Sequence, residues 1–399
     1  MLNIDMVMFC TAFSLTLGRS ALRGFARSIF LEYNYWNCGQ KSRSKALQNI
    51  GCAICILFFV AGYVGYAEAG HLKPFKTVPI PKSNPQTAEK IELGKKLFFD
   101  RRLSGDGTMS CATCHMPEIA FADGQDISLS YPTTKNWRNS PTLINVGFYK
   151  NLFYDGRVKT LEDQALFPLM SAFEMNQNLD FVEEEIRVVP EYAEAFKKVF
   201  GGEPTRQRIA MAIAAFERTL VSLNVPYDRY INGDRKALSP DAEKGLQIFK
   251  GKGKCMECHN GVNLSDDKFY SLNVPENPQL LNDPRVTATM RFVAKVYHYP
   301  DYRNLKEDPG RYLITKDRKD WKAFRTPGLR EVAKTGPYMH NGVFNTLDEV
   351  IEFFNAGGGK GNIWLKPLGL SEDEKRWLRA FLAEGLSGEE LKITHPAVP

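Results

Sequence analysis

The sequence predicts a mostly α-helical protein made of two tandem copies of one unit, and three observations predict it. Apolar residues recur at helical spacing, while no stretch sustains the two-residue alternation of a strand. A capped helix carrying Gly-x-x-[Leu/Ile]-Phe occurs at residues 94–98 and again at 245–249. Each copy is followed by the same punctuated motif, Cys111-Ala112-Thr113-Cys114-His115 and then Cys255-Met256-Glu257-Cys258-His259. Self-similarity on this scale is the mark of an internal duplication.

C-x-x-C-H is the attachment pattern of c-type haem. Two thiols form thioethers to the vinyl groups, and the adjoining imidazole binds the iron. One copy alone would also suit half a zinc site or a thioredoxin-like redox pair. Two copies, each closed by His and led in by the same helix, favour haem. The expected cofactors are therefore two covalently bound haem c groups, held by Cys111 and Cys114 with His115 on the first iron, and by Cys255 and Cys258 with His259 on the second. The other four of the eight cysteines (Cys10, Cys38, Cys52, Cys55) fall in the first 55 residues, which leaves the later chain no thiol for a disulfide.

At 399 residues, 43% hydrophobic and 25% charged, the chain has room for about two ordinary globular domains. The net charge of +6 is modest, and nothing in it suggests nucleic acid. A basic patch at 41–45, an uncharged apolar run at 50–66 and the small-x-small site Ala67-Glu68-Ala69 read as a secretory signal cleaved after Ala69. An uncleaved anchor is the alternative, and only in that case is a membrane a partner. Either way the haem domains are expected in the periplasm, where such haems are attached. The residues before the basic patch, with a second apolar run at 9–17, fit no signal design and suggest a mis-assigned start.

Along the rest of the chain, residues 70–86 are a Pro- and Lys-rich extended lead-in. Thr87 caps the first helix, with Leu93 and Leu97 on one face. Residues 205–223 place Ile209, Ile213, Phe216, Leu220 and Leu223 on a single buried helical face. Asn232-Gly233-Asp234 marks a boundary, after which Ser239 caps a second copy of the first helix with Pro240 at its first position. The polar stretch from 260 to about 322 is too punctuated by proline for one long helix. A short helix at 347–354 ends in Gly357-Gly358-Gly359, and Ser371 caps a last one running to Phe381. The domains read as a leader at 1–69, a first haem domain at 87–236, a second at 237–360, and a helix and tail at 361–399 packing back on the first.

Several ordered phrases surround the two motifs: Arg138-Asn139-Ser140-Pro141-Thr142, Phe153-Tyr154-Asp155-Gly156-Arg157, Phe173-Glu174-Met175-Asn176, and Phe324-Arg325-Thr326-Pro327 through Pro337-Tyr338-Met339-His340-Asn341-Gly342. With them the chain from about 84 to 382 resembles the bacterial di-haem cytochrome c peroxidases and their MauG branch. The resemblance implies that peroxide binds at the first haem and that the second relays electrons. It implies that Glu174 is the distal acid-base group and Gln164 a distal amide that holds peroxide or water. It also implies a calcium ion between the two haem domains, on the Asn139 side chain and the carbonyls of Thr335 and Pro337, an all-oxygen set that suits this hard cation.

Three departures from the family pattern stand out. The loop histidine that blocks the first iron in typical peroxidases, about sixteen residues beyond the first motif, is Tyr131, so that iron is expected to be open. The second haem's usual distal Met or Tyr is Phe354, which has no lone pair, so that haem is expected to be five-coordinate, water-ligated, or bound by Met290 or His298 of the long polar segment. The family's Trp between the haems is Tyr154, which can carry a hole only by losing its phenolic proton.

The expected function is a periplasmic di-haem peroxidase that reduces hydrogen peroxide with electrons from a small cytochrome c or copper protein. Alternatives are a MauG-like oxidation of a residue, typically Trp, in a partner protein substrate, and a non-catalytic di-haem electron carrier.

Overall fold

The computed structural model describes residues 77–222 and 224–399, and the predicted leader at 1–69 lies outside them. Its α-helices are, in chain order, α1 (Ala88–Phe99), α2 (Cys111–Cys114), α3 (Leu161–Met170), α4 (Leu179–Arg187), α5 (Pro190–Phe200), α6 (Arg206–Glu217), α7 (Pro226–Ile231), α8 (Pro240–Lys250), α9 (Pro278–Leu281), α10 (Pro284–Val296), α11 (Tyr312–Thr315), α12 (Leu347–Asn355) and α13 (Glu372–Ala380). Two two-residue strands, β1 (Phe269–Tyr270) and β2 (Phe324–Arg325), form one antiparallel pair with Tyr270 opposite Phe324. The chain is thus mostly α. No helix among the described residues is long and apolar enough to cross a membrane.

The caps are where local chemistry places them. Thr87, Ser239 and Ser371 each accept a hydrogen bond from a first-turn N–H of α1, α8 and α13. The helix expected over 205–223 starts on its Thr205 cap but stops at Glu217, where Arg218 N–H still reaches Ala214 O and the Thr219 hydroxyl turns back to Phe216 O. Leu220 is buried just beyond that end. The lead-in is anchored by Asn84, which donates to Glu162 and to Met211 O while accepting from the Lys90 ammonium.

The duplication is visible in how the helices cross. A Cβ on Gly94 of α1 would lie 1.8 Å from Ala212 O of α6, and one on Gly245 of α8 would lie 1.9 Å from Trp377 O of α13. The glycine of each Gly-x-x-[Leu/Ile]-Phe phrase therefore seats the backbone of a second helix, a contact no other residue allows. Around the first crossing, Leu93, Leu97, Phe98, Ile209, Ile213 and Phe216 form one core, and around the second, Leu246, Phe249, Leu378 and Phe381 form another.

This arrangement corrects the sequence-derived boundaries. α13 packs on α8 of the second unit, because Gly245 needs a helix backbone against it; only the tail beyond it reaches the first unit, through Leu391 and Ile393. The handover between cores also comes earlier than residue 237, since Val225, Tyr227 and Tyr230 belong to the second. A third cluster joins Val286, Met290, Val293, Leu305 and Leu313 of the polar segment to Ile127 and Trp137, so that segment roofs the first unit.

Candidate haem sites

The first motif forms α2, and His115 leaves it with its Nδ1 3.0 Å from Phe121 O and 3.4 Å from the Ser140 hydroxyl. His259 repeats the geometry, its Nδ1 3.0 Å from Leu264 O. A carbonyl partner fixes the proton on Nδ1 and leaves the Nε2 lone pair for a metal. Burial pushes His115 down to about 4 and also lowers His259, so both rings are neutral at physiological pH. The backbones of Pro141 and Pro327 also bear on His115 and His259. The duplication therefore extends to [Ser/Thr]-Pro at 140–141 and 326–327, a pairing the sequence displays but which was not read from it.

Cys111, Cys114, Cys255 and Cys258 are unpaired thiols. Burial pushes Cys111 and Cys255 up to about 12, which keeps them protonated. Among the described residues no cluster of three His, Cys, Asp or Glu side chains could hold a metal. Two free thiols beside one oriented imidazole, twice over, are the donor set that haem c requires. Sequence reasoning also missed Glu217, buried beside Cys111, whose carboxyl burial raises to about 8.

Glu174 sits in the turn after α3, which is folded back by Met175 N–H to Pro168 O (3.1 Å) and Gln177 N–H to Leu169 O (2.7 Å). Asn136 Nδ2 approaches its carboxylate at 3.5 Å. Burial raises its pKa, and Arg157 and Asn136 offset part of the rise. Arg157 lies over the Phe153 ring at 3.4 Å, and Phe153 meets Phe167 edge-on at 5.7 Å. Gln164 is on α3, nearly one turn before Phe167, and its amide finds no protein partner among the described residues. Tyr131 donates its N–H to Phe173 O at 3.1 Å, which holds its loop beside the Glu174 turn.

Between the units, Asn139 N–H donates to His340 O at 2.8 Å, its Nδ2 donates to Gln125 O, and its Oδ1 accepts from the Tyr154 hydroxyl at 3.2 Å. Among the described residues nothing donates a hydrogen bond to the Thr335 or the Pro337 carbonyl. Burial raises the Tyr154 pKa against the opposing charges of Arg325 and Arg138. The base that a Tyr154 relay would need is thus an amide oxygen, which cannot take the proton. Met290 packs beside Ile127 and Trp137 rather than in the core around Cys255, and His298 is exposed.

One feature of this region has no signal in the sequence. Arg138 is buried between Asp155 (2.7 Å) and Asp308 (2.6 Å), Arg157 reaches the same Asp155 at 2.9 Å, and Trp137 Nε1 donates to Asp308 at 3.0 Å. Asp308 comes from the polar segment, 170 residues beyond Arg138.

Residues 88–236 match the model of the di-haem cytochrome c peroxidase family. The chain is 46% identical over 336 residues to cytochrome-c peroxidase IdrP1 of Pseudomonas sp. (strain SCT), covering 82% of this chain and 89% of that one. It is 36% identical to the methylamine utilization protein MauG of Methylorubrum extorquens, over 81% and 85% of the two chains. Among solved structures it superposes on a MauG-like protein associated with microbial copper homeostasis with a TM-score of 0.67 and 29% identity, over 80% of this chain and 95% of that one. The fold and its two oriented imidazoles define a di-haem c-type protein. The chain belongs to the di-haem cytochrome c peroxidase family. It is accordingly an oxidoreductase acting on peroxide, and its family implies two c-type haems. The non-catalytic carrier is set aside on this ground.

Proposed function

We propose that the protein reduces hydrogen peroxide in the periplasm at the haem carried by His115, with electrons entering through the haem carried by His259 from a small cytochrome c or copper protein. The observation that carries this reading is Glu174, a carboxylate enclosed by Asn136, Arg157 and the α3 turn with its pKa raised by burial. Bound haem supplies the redox-active iron at which the O–O bond breaks. Glu174 takes a proton from one peroxide oxygen and returns it to the other, which needs a group whose pKa lies closer to neutrality than that of a solvated carboxylate. Gln164 offers its unpartnered amide to hold peroxide or water. Two electrons and two further protons complete the conversion of each peroxide to two waters.

The test is peroxide added to the diferric protein, followed optically and by EPR. A high-spin ferric signal at rest, consumed by peroxide without prior reduction, is the expected result. An entirely low-spin resting spectrum would mean that a side chain plugs the first iron and would overturn the reading.

Tyr131 in the loop over the Glu174 turn favours a second, MauG-like reading, in which an open first haem drives oxidation of a residue in a partner protein. The protonated Tyr154 weighs against sharing oxidation between the haems as this reading needs. A covalent change in a partner, found by mass spectrometry after peroxide treatment, would establish it.

Calcium is proposed on Asn139 Oδ1 and the carbonyls of Thr335 and Pro337. Among the described residues these carbonyls take no hydrogen bond, and Asn139 keeps a lone pair beyond the one Tyr154 uses, which leaves oxygen donors of the type a hard cation takes. Chelation is expected to slow interhaem electron transfer. Transfer rates indifferent to chelators would remove the ion from Asn139.

A further inference from the structure

Among the described residues, the loop between α12 and α13 presents two exposed apolar side chains in succession, Ile363 at 79% and Trp364 at 54% exposure. The loop is held rigidly. Asn362 donates to Gly357 O (2.6 Å) and Gly359 O (3.0 Å), while its Oδ1 accepts from the N–H groups of Trp364 and Leu365. Gly359 N–H donates to Leu272 O and Asn273 Nδ2 to Lys360 O, which ties the loop to the segment just beyond β1. A large exposed indole on a pinned loop is a display, not a loose end.

Beneath it lies a path. The Trp364 ring meets the half-buried Tyr270 ring edge-on, centroids 5.0 Å apart at 85°. The Tyr270 hydroxyl donates to Asp266 at 2.7 Å, and Asp266 N–H donates to Cys258 O at 2.9 Å, which leads to the residue that carries the attachment sulfur. In the holoprotein that sulfur is a thioether to the second haem. Trp364, Tyr270, Asp266 and Cys258 thus form a continuous connection from solvent to the haem attachment.

We propose that Trp364 is the centre of the docking surface for the electron donor and that Tyr270 carries the coupling inward, the partner being a small redox protein with an acidic rim around an apolar contact. This rests on the reading of the second haem as the point of electron entry. Charge supports the acidic partner: residues 356–369 hold Lys360 and Lys366 and no acid, and Lys268 next to β1 is exposed, while Glu257 is the exposed acid of the haem-binding turn. One electron passes at a time from reduced donor to ferric second haem, and neither aromatic is itself oxidised. Trp at the centre of an interface is a residue type whose truncation costs most.

The test uses the intact di-haem protein, with fully reduced flavodoxin as an acidic probe and reduced mitochondrial-type cytochrome c as a basic one. Binding is measured at low salt, as is the rate at which the ferric second haem is reduced, expressed relative to reduction by ascorbate. Trp364→Ala is expected to weaken flavodoxin binding by about thirtyfold, Trp364→Phe to restore most of it, and Lys360→Glu with Lys366→Glu to shift preference toward the basic cytochrome. Phe181→Ala, an equally exposed aromatic on α4, is the control and should change neither quantity. Equal binding and reduction by Trp364→Ala and the parent protein, or faster reduction of the parent by the basic cytochrome than by flavodoxin, would overturn the assignment. Because no peroxide is present, failure here is separate from failure of the peroxidase reading.

Discussion

Replacing Glu174 with Gln is expected to slow peroxide turnover by about a hundredfold or more while leaving both haem spectra unchanged. The substitution keeps the shape of the side chain and its approach to Asn136 but removes the only group in that turn that can both accept and return a proton. Burial raises the Glu174 pKa, so its base form is lost as pH falls through that raised value. The parent rate should therefore decline on the acid side at a higher pH than a solvated glutamate would give, and the variant should lack that limb. Stopped-flow turnover across pH measures both effects, and an unaltered rate in the variant would take Glu174 out of the reaction.

Arg138→Ala is expected to destabilise the folded protein by about 3–5 kcal/mol, because it strands the buried Asp308 carboxylate and leaves Asp155 to Arg157 alone. Burial alone would raise Asp308, but the charge and hydrogen bonds of Arg138 outweigh it and hold the carboxyl at about 2; Asp155 is likewise held low against burial by Arg157 and Arg138. Since both folded values lie below the unfolded ones, this stabilisation is present above the ordinary carboxylate range. It fades as pH drops toward 2. Denaturant unfolding of the holoprotein at neutral pH should show the full loss in the variant. A change below about 1 kcal/mol would mean that Asp155 and Asp308 find other partners.

What the sequence disclosed and withheld follows from the range of each interaction. Caps such as Thr87, Ser239 and Ser371 act within one turn, and a motif of five residues carries its own chemistry, so both were legible. The end of α6 was overrun because Leu220 continues the apolar spacing after the helix has stopped. The home of α13 was misjudged because it depends on a backbone seat at Gly245, more than a hundred residues away. Asp308 was invisible for the same reason, as nothing near it in the chain announces a partner at Arg138. Glu174 looks like any solvated glutamate until the turn enclosing it is seen; only the family likeness pointed to it beforehand.

The matching bonds from His115 to Phe121 O and from His259 to Leu264 O, both 3.0 Å, have one more implication. A ring nitrogen that gives its proton to a carbonyl becomes a stronger electron donor through the opposite nitrogen, and here both imidazoles carry that bond. A difference between the two centres therefore cannot come from this bond, and the near-side groups that do differ are the Ser140 hydroxyl 3.4 Å from His115 and the Asp266 charge acting on His259.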